Sequence, residues 1–117
     1  MEQLLNEDQI VQIEIDLEEL KKNELNESFL AMFGGAIKMI LDRMFSGSTP
    51  HYSGFYNVKG SRRDVTAFAR TLGNEKKYLE AASQYGLDNP RTYKSKKVLD
   101  KAITGFEKST GLKWPFK

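Results

Sequence analysis

The sequence predicts an α+β fold that is mostly helical. Two short strands flank a long central helix, and a three-helix C-terminal region follows. Three observations carry this reading. Apolar residues alternate with polar ones once, early, in "IVQIEIDL". The stretch "ESFLAMFGGAIKMILDRMF", Glu27 to Phe45, is apolar around most of its helical circumference. Three later segments repeat apolar residues at steps of three and four, and each runs into a glycine, Gly73, Gly86 or Gly111.

The first element is read as a strand at about 10–17. Val11, Ile13, Ile15 and Leu17 alternate with Gln12, Glu14 and Asp16, and the β-branched content favours a strand. A helix using Ile10, Ile13, Leu17 and Leu20 also fits, but it places Glu14 and Glu18 in the apolar stripe. Asn26 or Asn23 then caps the central helix. "SGSTPHYSG" ends that helix with small residues, Pro50 and two glycines, a linker at 46–54. "FYNVKG" is a second short strand with Tyr56 and Val58 on one face. Two strands separated by a helix can pair in parallel. Ser61 caps the next helix, with Asp64 three residues on. Its stripe is Val65, Phe68 and Leu72, and Gly73 ends it. Asn74 opens a helix with Tyr78, Leu79, Ala82 and Tyr85 inward, stopped by Gly86. "LDNPRTYKSK" leads into the last helix, whose buried face is Val98, Leu99, Ala102, Ile103 and Phe106, closed by Gly111. Pro115 keeps the tail "LKWPFK" extended.

The chain of 117 residues is 39% hydrophobic and 29% charged, which suits a single domain, 1–117, with a modest core. Its net charge of +2 conceals a split. Residues 1–46 carry four basic and ten acidic side chains, and 47–117 carry fourteen basic and six acidic. An acidic N-terminal part (1–46) thus precedes a basic helical part (55–117), which can meet nucleic acid or an acidic protein. There are no cysteines, so disulfides, thiolate metal sites and cysteine nucleophiles are excluded. "MEQLLNEDQ" lacks the basic lead of a signal peptide, so secretion by one is not expected.

Catalytic chemistry is not visible. The lone His51 has no serine nucleophile motif and no second ligand near it. Glu14, Asp16, Glu18 and Glu19 resemble a carboxylate cluster, but they lack the spacing of a calcium loop and read as a solvated face. The glycines match no phosphate-loop pattern. A non-enzymatic protein with no cofactor and no metal is expected.

Two basic constellations remain. In "FARTLGNEKKYLEAASQ", Ala69, Gly73 and Leu79 have the spacing of a helix-turn-helix: small residue, turn glycine, apolar closure. Arg62, Arg63, Arg70, Lys76 and Lys77 surround this unit at 61–85 and can touch phosphates. Against it, Asn74 stands where an apolar residue is usual, and Glu75 and Glu80 repel phosphate. The second constellation interleaves Arg91, Lys94, Lys96, Lys97, Lys101 and Lys108 with Tyr93, Trp114 and Phe116, a pattern that can bind single strands by stacking. Equally, Leu112, Trp114 and Phe116 alternate and can fold back on the core or pack on a neighbouring subunit.

The phrases "SFLAMFGGAIKMILDRMF", "AFARTLGNEKKYLEA", "YGLDNPRTYKSKKVLDKAI" and "FEKSTGLKWPF" resemble small, mostly uncharacterised proteins of tailed bacteriophages, over about residues 27–117. The resemblance implies a virion component or assembly factor acting as one of several copies. It carries over no functional residue.

The central helix bears on that expectation. At 100° per residue, Phe29, Phe33, Ile37, Ile40 and Met44 centre one face, and Met32 and Met39 widen it. The apolar arc is wider than a surface helix needs. Lys38, Asp42 and Arg43 interrupt it too soon for a membrane span of about 20 residues. Such a helix is either wrapped by the C-terminal helices or shared between subunits. Gly34 and Gly35 flank its polar strip, where a kink or another chain would explain them.

The leading expectation is therefore a self-associating phage-type virion structural or assembly protein. It is a homo-oligomer that meets other virion proteins, with an interface from Phe29, Met32, Phe33, Ile37, Met39, Ile40, Met44, Trp114 and Phe116. The alternative is a DNA-binding protein using the helix-turn-helix-like unit.

Overall fold

The computed structural model describes residues 13–23, 26–46 and 56–116. The elements in order are β1 (Ile13–Asp16), α1 (Leu17–Lys22), α2 (Glu27–Ser46), β2 (Tyr56–Lys59), α3 (Arg62–Tyr85) and α4 (Pro90–Thr110). The class is the expected one, mostly helical α+β. By its contacts the chain divides into two compact units, Met1–Lys59 and Gly60–Lys117. That division falls later than the composition change at 46–54.

In the first unit, β1 and β2 pair in parallel, with Ile13 opposite Tyr56 and Ile15 opposite Val58. The alternation seen in the sequence sets the faces: Ile13 and Ile15 are buried, Glu14 and Asp16 exposed. The strand stops earlier than expected because Asp16 turns from strand residue to helix cap. Its carboxylate accepts from the Glu19 amide at 3.1 Å. Leu17, which fitted both readings, and Leu20, which fitted only the helix, are buried on the helix α1. Thus "IEIDLEELKK", from Ile13 to Lys22, is strand and then helix. Residues 10–12 lie outside the described residues.

Asn26 caps α2, accepting from the amides of Ser28 (2.9 Å) and Phe29 (3.3 Å). The helix packs on β1 and α1. It buries Phe33, Ile37, Ile40 and Leu41 and exposes Met32 and Met39. A single row at i, i+4, i+7 and i+8 therefore serves the core. Gly35 has open space where a Cβ would be, so nothing among the described residues requires a glycine there. No helix among the described residues is long and apolar enough to cross a membrane.

The second unit departs from the expected three helices. Residues 62–85 form one 24-residue helix that passes straight through Gly73. Gly73 does not take positive φ. Asn74, expected as a cap, instead donates its side-chain amide to the Arg70 carbonyl, 2.9 Å away within the helix. The reason is burial. Phe68, Thr71, Leu72 and Glu75 form one continuous buried row across the glycine. Packing that row outweighs the roughly 1 kcal/mol that a mid-helix glycine costs. The outer caps are as read: Ser61 accepts from the Asp64 amide at 3.1 Å, and Gly111 closes α4 in the left-handed region at φ 79°. Asn89 caps α4 with Pro90 in its first turn.

Helices α3 and α4 form an antiparallel hairpin joined at 86–89. Three side-chain hydroxyls pin it. The Ser109 hydroxyl donates to the Asp64 carboxylate, and the Thr71 hydroxyl lies 3.0 Å from the Ala102 carbonyl. The Thr92 hydroxyl reaches the carbonyls of Ala81 (3.2 Å) and Gly86 (2.7 Å). From the first pair to the second, α3 advances seven residues while α4 retreats seven. From the second to the third, both move ten. The register is therefore constant along the hairpin.

The tail docks on the hairpin. Trp114, 2% exposed, packs among Phe68 and Phe106, with ring centroids 5.9 and 5.3 Å away. Its indole N–H donates to Glu75 at 2.8 Å, and its backbone N–H to Glu107 at 2.9 Å.

Candidate functional site

The expected oligomer interface is corrected for part of its residues. Phe33, Ile37, Ile40 and Trp114 are at most 3% exposed and belong to the interior. Phe29 and Met44 are partly buried. Met32 (68%), Met39 (52%) and Phe116 (36%) are exposed. The burial of Trp114 also removes the main stacking ring from the aromatic–basic tail constellation. Among the described residues no group of three or more His, Cys, Asp or Glu side chains can hold a metal. His51 lies outside the described residues.

The helix-turn-helix is likewise corrected, because a continuous α3 has no turn at Gly73 and no separate recognition helix. Its cations fare differently. Arg62, Arg63 and Arg70 line one concavity of about 400 Å³ on the hairpin, together with Lys108 and Ser109 of α4. Lys77 lies further along, in a second concavity of about 200 Å³ with Lys94, Ser95 and Val98. Lys76 is not part of this face; it pairs with Glu80 at 2.7 Å.

A periodicity underlies the grouping. Arg63, Arg70 and Lys77 stand seven residues apart on α3, as do Lys94, Lys101 and Lys108 on α4. Seven residues advance a helix by about 10.5 Å and return it to within about 20° of the same face. Each helix thus carries a straight row of three cations. On the register fixed by the three cross-helix bonds, Lys108 lies about 3 Å along the axis from Arg63. Lys101 is placed likewise beside Arg70, and Lys94 beside Lys77. The result is a ladder of three cationic rungs about 21 Å long, with its rows one interhelical spacing, about 8–10 Å, apart. Arg62 and Lys97 border it.

The electrostatics of this face are one-signed. All eight of these side chains are exposed, and none is in an ion pair among the described residues. The acidic side chains of α3 and α4 are buried or already bonded, Glu107 to the Trp114 backbone N–H, and Asp88 lies in the turn between the helices. Asp64 and Glu75 are buried, Glu80 pairs with Lys76, and Asp100 pairs with Lys96 at 3.2 Å. Arg91, another exposed cation, sits over the Tyr85 ring at 4.8 Å. The ladder does not serve the fold. Like charges in a row repel, and Arg62 and Arg63 sit in the first turn of α3, where the helix dipole disfavours cations. A local arrangement that costs stability is the kind found at functional surfaces.

Sequence reading found Arg62, Arg63, Arg70 and Lys77 for the wrong reason, and it placed Lys94, Lys101 and Lys108 in a separate stacking motif. The two seven-residue series were the missed signal. They become one site only when the hairpin lays them side by side.

Behind the ladder, Glu75 is held with its carboxyl above the ordinary value of 4.5. Burial is the main cause; the indole hydrogen bond and the Lys96 charge pull the other way. A raised carboxyl pKa favours the folded state most below the ordinary value, and that contribution fades as pH rises through the folded value. Glu75→Gln keeps an acceptor for the indole and removes the charge. The variant is therefore expected to gain stability relative to the parent as pH rises from about 4 to 8. Urea midpoints across that range check this, and a constant difference between the two proteins contradicts it.

This geometry defines a class, an antiparallel helical hairpin with a tail docked on it and a periodic cationic face. In comparisons with family models, curated proteins and solved structures, none matches this chain.

Proposed function

We propose that the chain is a non-enzymatic protein that binds nucleic acid through the phosphate backbone, using the basic face of the α3–α4 hairpin. The observation that supports this is the ladder: six cations in register on two helices, exposed and without carboxylate partners. Phosphates neutralised by Lys and Arg release counterions, which supplies most of the affinity of such contacts. Reversing one row with Arg63→Glu, Arg70→Glu and Lys77→Glu is expected to lower affinity for DNA at low salt by about 100-fold or more. A charge-matched control outside the ladder, Lys21→Glu, Lys38→Glu and Lys59→Glu, changes it by no more than a few-fold. Circular dichroism verifies that both variants fold. Absence of binding by the parent protein at low salt defeats the proposal.

A second reading is favoured by α2. Met32 and Met39 are exposed, stand seven residues apart on one stripe, and have the open Gly35 and Ala36 between them. An antiparallel crossing of two copies at these small residues sets Met32 of each against Met39 of the other, so the stripe is self-complementary. This agrees with the resemblance to tailed-phage proteins and with a self-associating virion structural or assembly role. Sedimentation over a wide concentration range tests it. A dimer or larger species abolished by Met32→Lys supports it, and a monomer throughout refutes it.

A further inference from the structure

We infer that the ladder is built for double-helical nucleic acid, held by its two backbones and not read for sequence. The inference rests on the nucleic-acid reading above and adds the form of the ligand.

The first ground is rigidity. Bonds at Asp64–Ser109, Thr71–Ala102 and Ala81–Thr92 pin the hairpin near both ends and at its middle. The six cationic side chains therefore spring from fixed points on the backbone. A duplex is stiff over about 50 nm, so its phosphates also hold fixed spacing and lose little freedom on binding. A flexible single strand must be ordered to meet three rungs in a line.

The second ground is dimension. The face is about 21 Å long, which spans about six base pairs and about twelve phosphates of a duplex, more than its six cations. Two rows about 8–10 Å apart, each ending in long Arg or Lys side chains, can face the two strands that border a groove.

The third ground is what lies between the rows. The floor is small and mostly polar at Thr66, Asn74, Ser95 and Gly105, with Val98 its largest apolar side chain. Gly105 faces open space. Among the described residues no aromatic ring lines either concavity; exposed Tyr93, next to Lys94, lies outside both, so the floor offers no stacking platform of the kind single strands use. The one amide on the floor, Asn74, already donates to the Arg70 carbonyl 2.9 Å away within α3, which takes up the donor a bidentate contact to adenine needs.

The experiment is fluorescence anisotropy with the full chain and four probes: a 30-base-pair DNA duplex, the same length of single-stranded DNA, an RNA duplex, and vesicles of phosphatidylcholine with phosphatidylserine. The DNA duplex is expected to bind at least about 10-fold tighter than the single strand at equal salt. Its log–log salt slope should be near −5, as six phosphate contacts require. Shuffling the duplex sequence should leave affinity unchanged. Lys101→Glu, at the middle rung, should weaken the duplex complex about 10-fold or more and flatten the slope. Binding of either duplex above single strands supports the inference, and the preferred one names the source of the double helix. Equal or tighter binding of the single strand overturns the inference and leaves the nucleic-acid reading standing. Binding to the vesicles with none to any nucleic acid overturns both.

Discussion

Trp114→Ala is expected to destabilise the second unit by about 3–5 kcal/mol, the range for removing a buried large aromatic side chain. The side chain is 2% exposed and touches the rings that join α3 to α4, Phe68 and Phe106, at 5.9 and 5.3 Å. Its loss opens a cavity between them. It also takes away the indole donor on Glu75, leaving a buried carboxyl short of a partner, which adds about 1–3 kcal/mol in comparable cases. Trp114→Phe separates the two effects, since it keeps most of the ring packing and loses the N–H. It is expected to cost clearly less. Urea unfolding followed by circular dichroism measures both, because the variants lack the chain's one tryptophan as a fluorophore. A cost below about 1 kcal/mol for Trp114→Ala means that the tail does not dock as described.

Ile37→Ala in α2 is expected to cost about 2–5 kcal/mol, and Met39→Ala within about 0.5 kcal/mol of nothing. The two residues are neighbours on a helix that is apolar almost all round, and hydropathy does not separate them. Burial does: Ile37 is fully buried, and Met39 is 52% exposed. The buried row faces a unit with β1 and α1 in it, whose Ile15, Leu17 and Leu20 are at most 6% exposed. Equal costs at the two positions would show that the core lies on a different face of α2. A Met39 variant that is destabilised only where the protein associates would instead place the second face in a contact between copies.

The elements that local rules govern were legible. Ser61, Asn26, Gly86 and Gly111 were each read as helix boundaries because a cap or a left-handed turn needs a particular side chain or none. The pairing of the strands followed from a helix-length crossover. The failures share a cause. Gly73 reads as a stop only if its neighbours have no better use, and the row Phe68, Thr71, Leu72 and Glu75 has one, against α4. "IVQIEIDL" reads as a strand, and Ile13–Asp16 is one; what a period of two does not show is α1, which Asp16 opens by a bond of its own side chain. The candidate site was half legible. Its arginines were singled out, but the lysines opposite them belong to a helix some thirty residues away, and no local pattern ties the two together.

By itself, then, the sequence determined the class of fold, the outer limits of α2 and of the α3–α4 hairpin, the absence of cysteine chemistry and the surplus of positive charge after residue 46. These depend on residue type and on neighbours a few positions away. The tertiary structure decided which apolar face of α2 is core, that α3 runs unbroken, and that Trp114 faces inward. It also brought Arg63, Arg70 and Lys77 into register with Lys108, Lys101 and Lys94. Burial and electrostatic addition act through space, and only the paired helices supply the distances over which charges add into a single field.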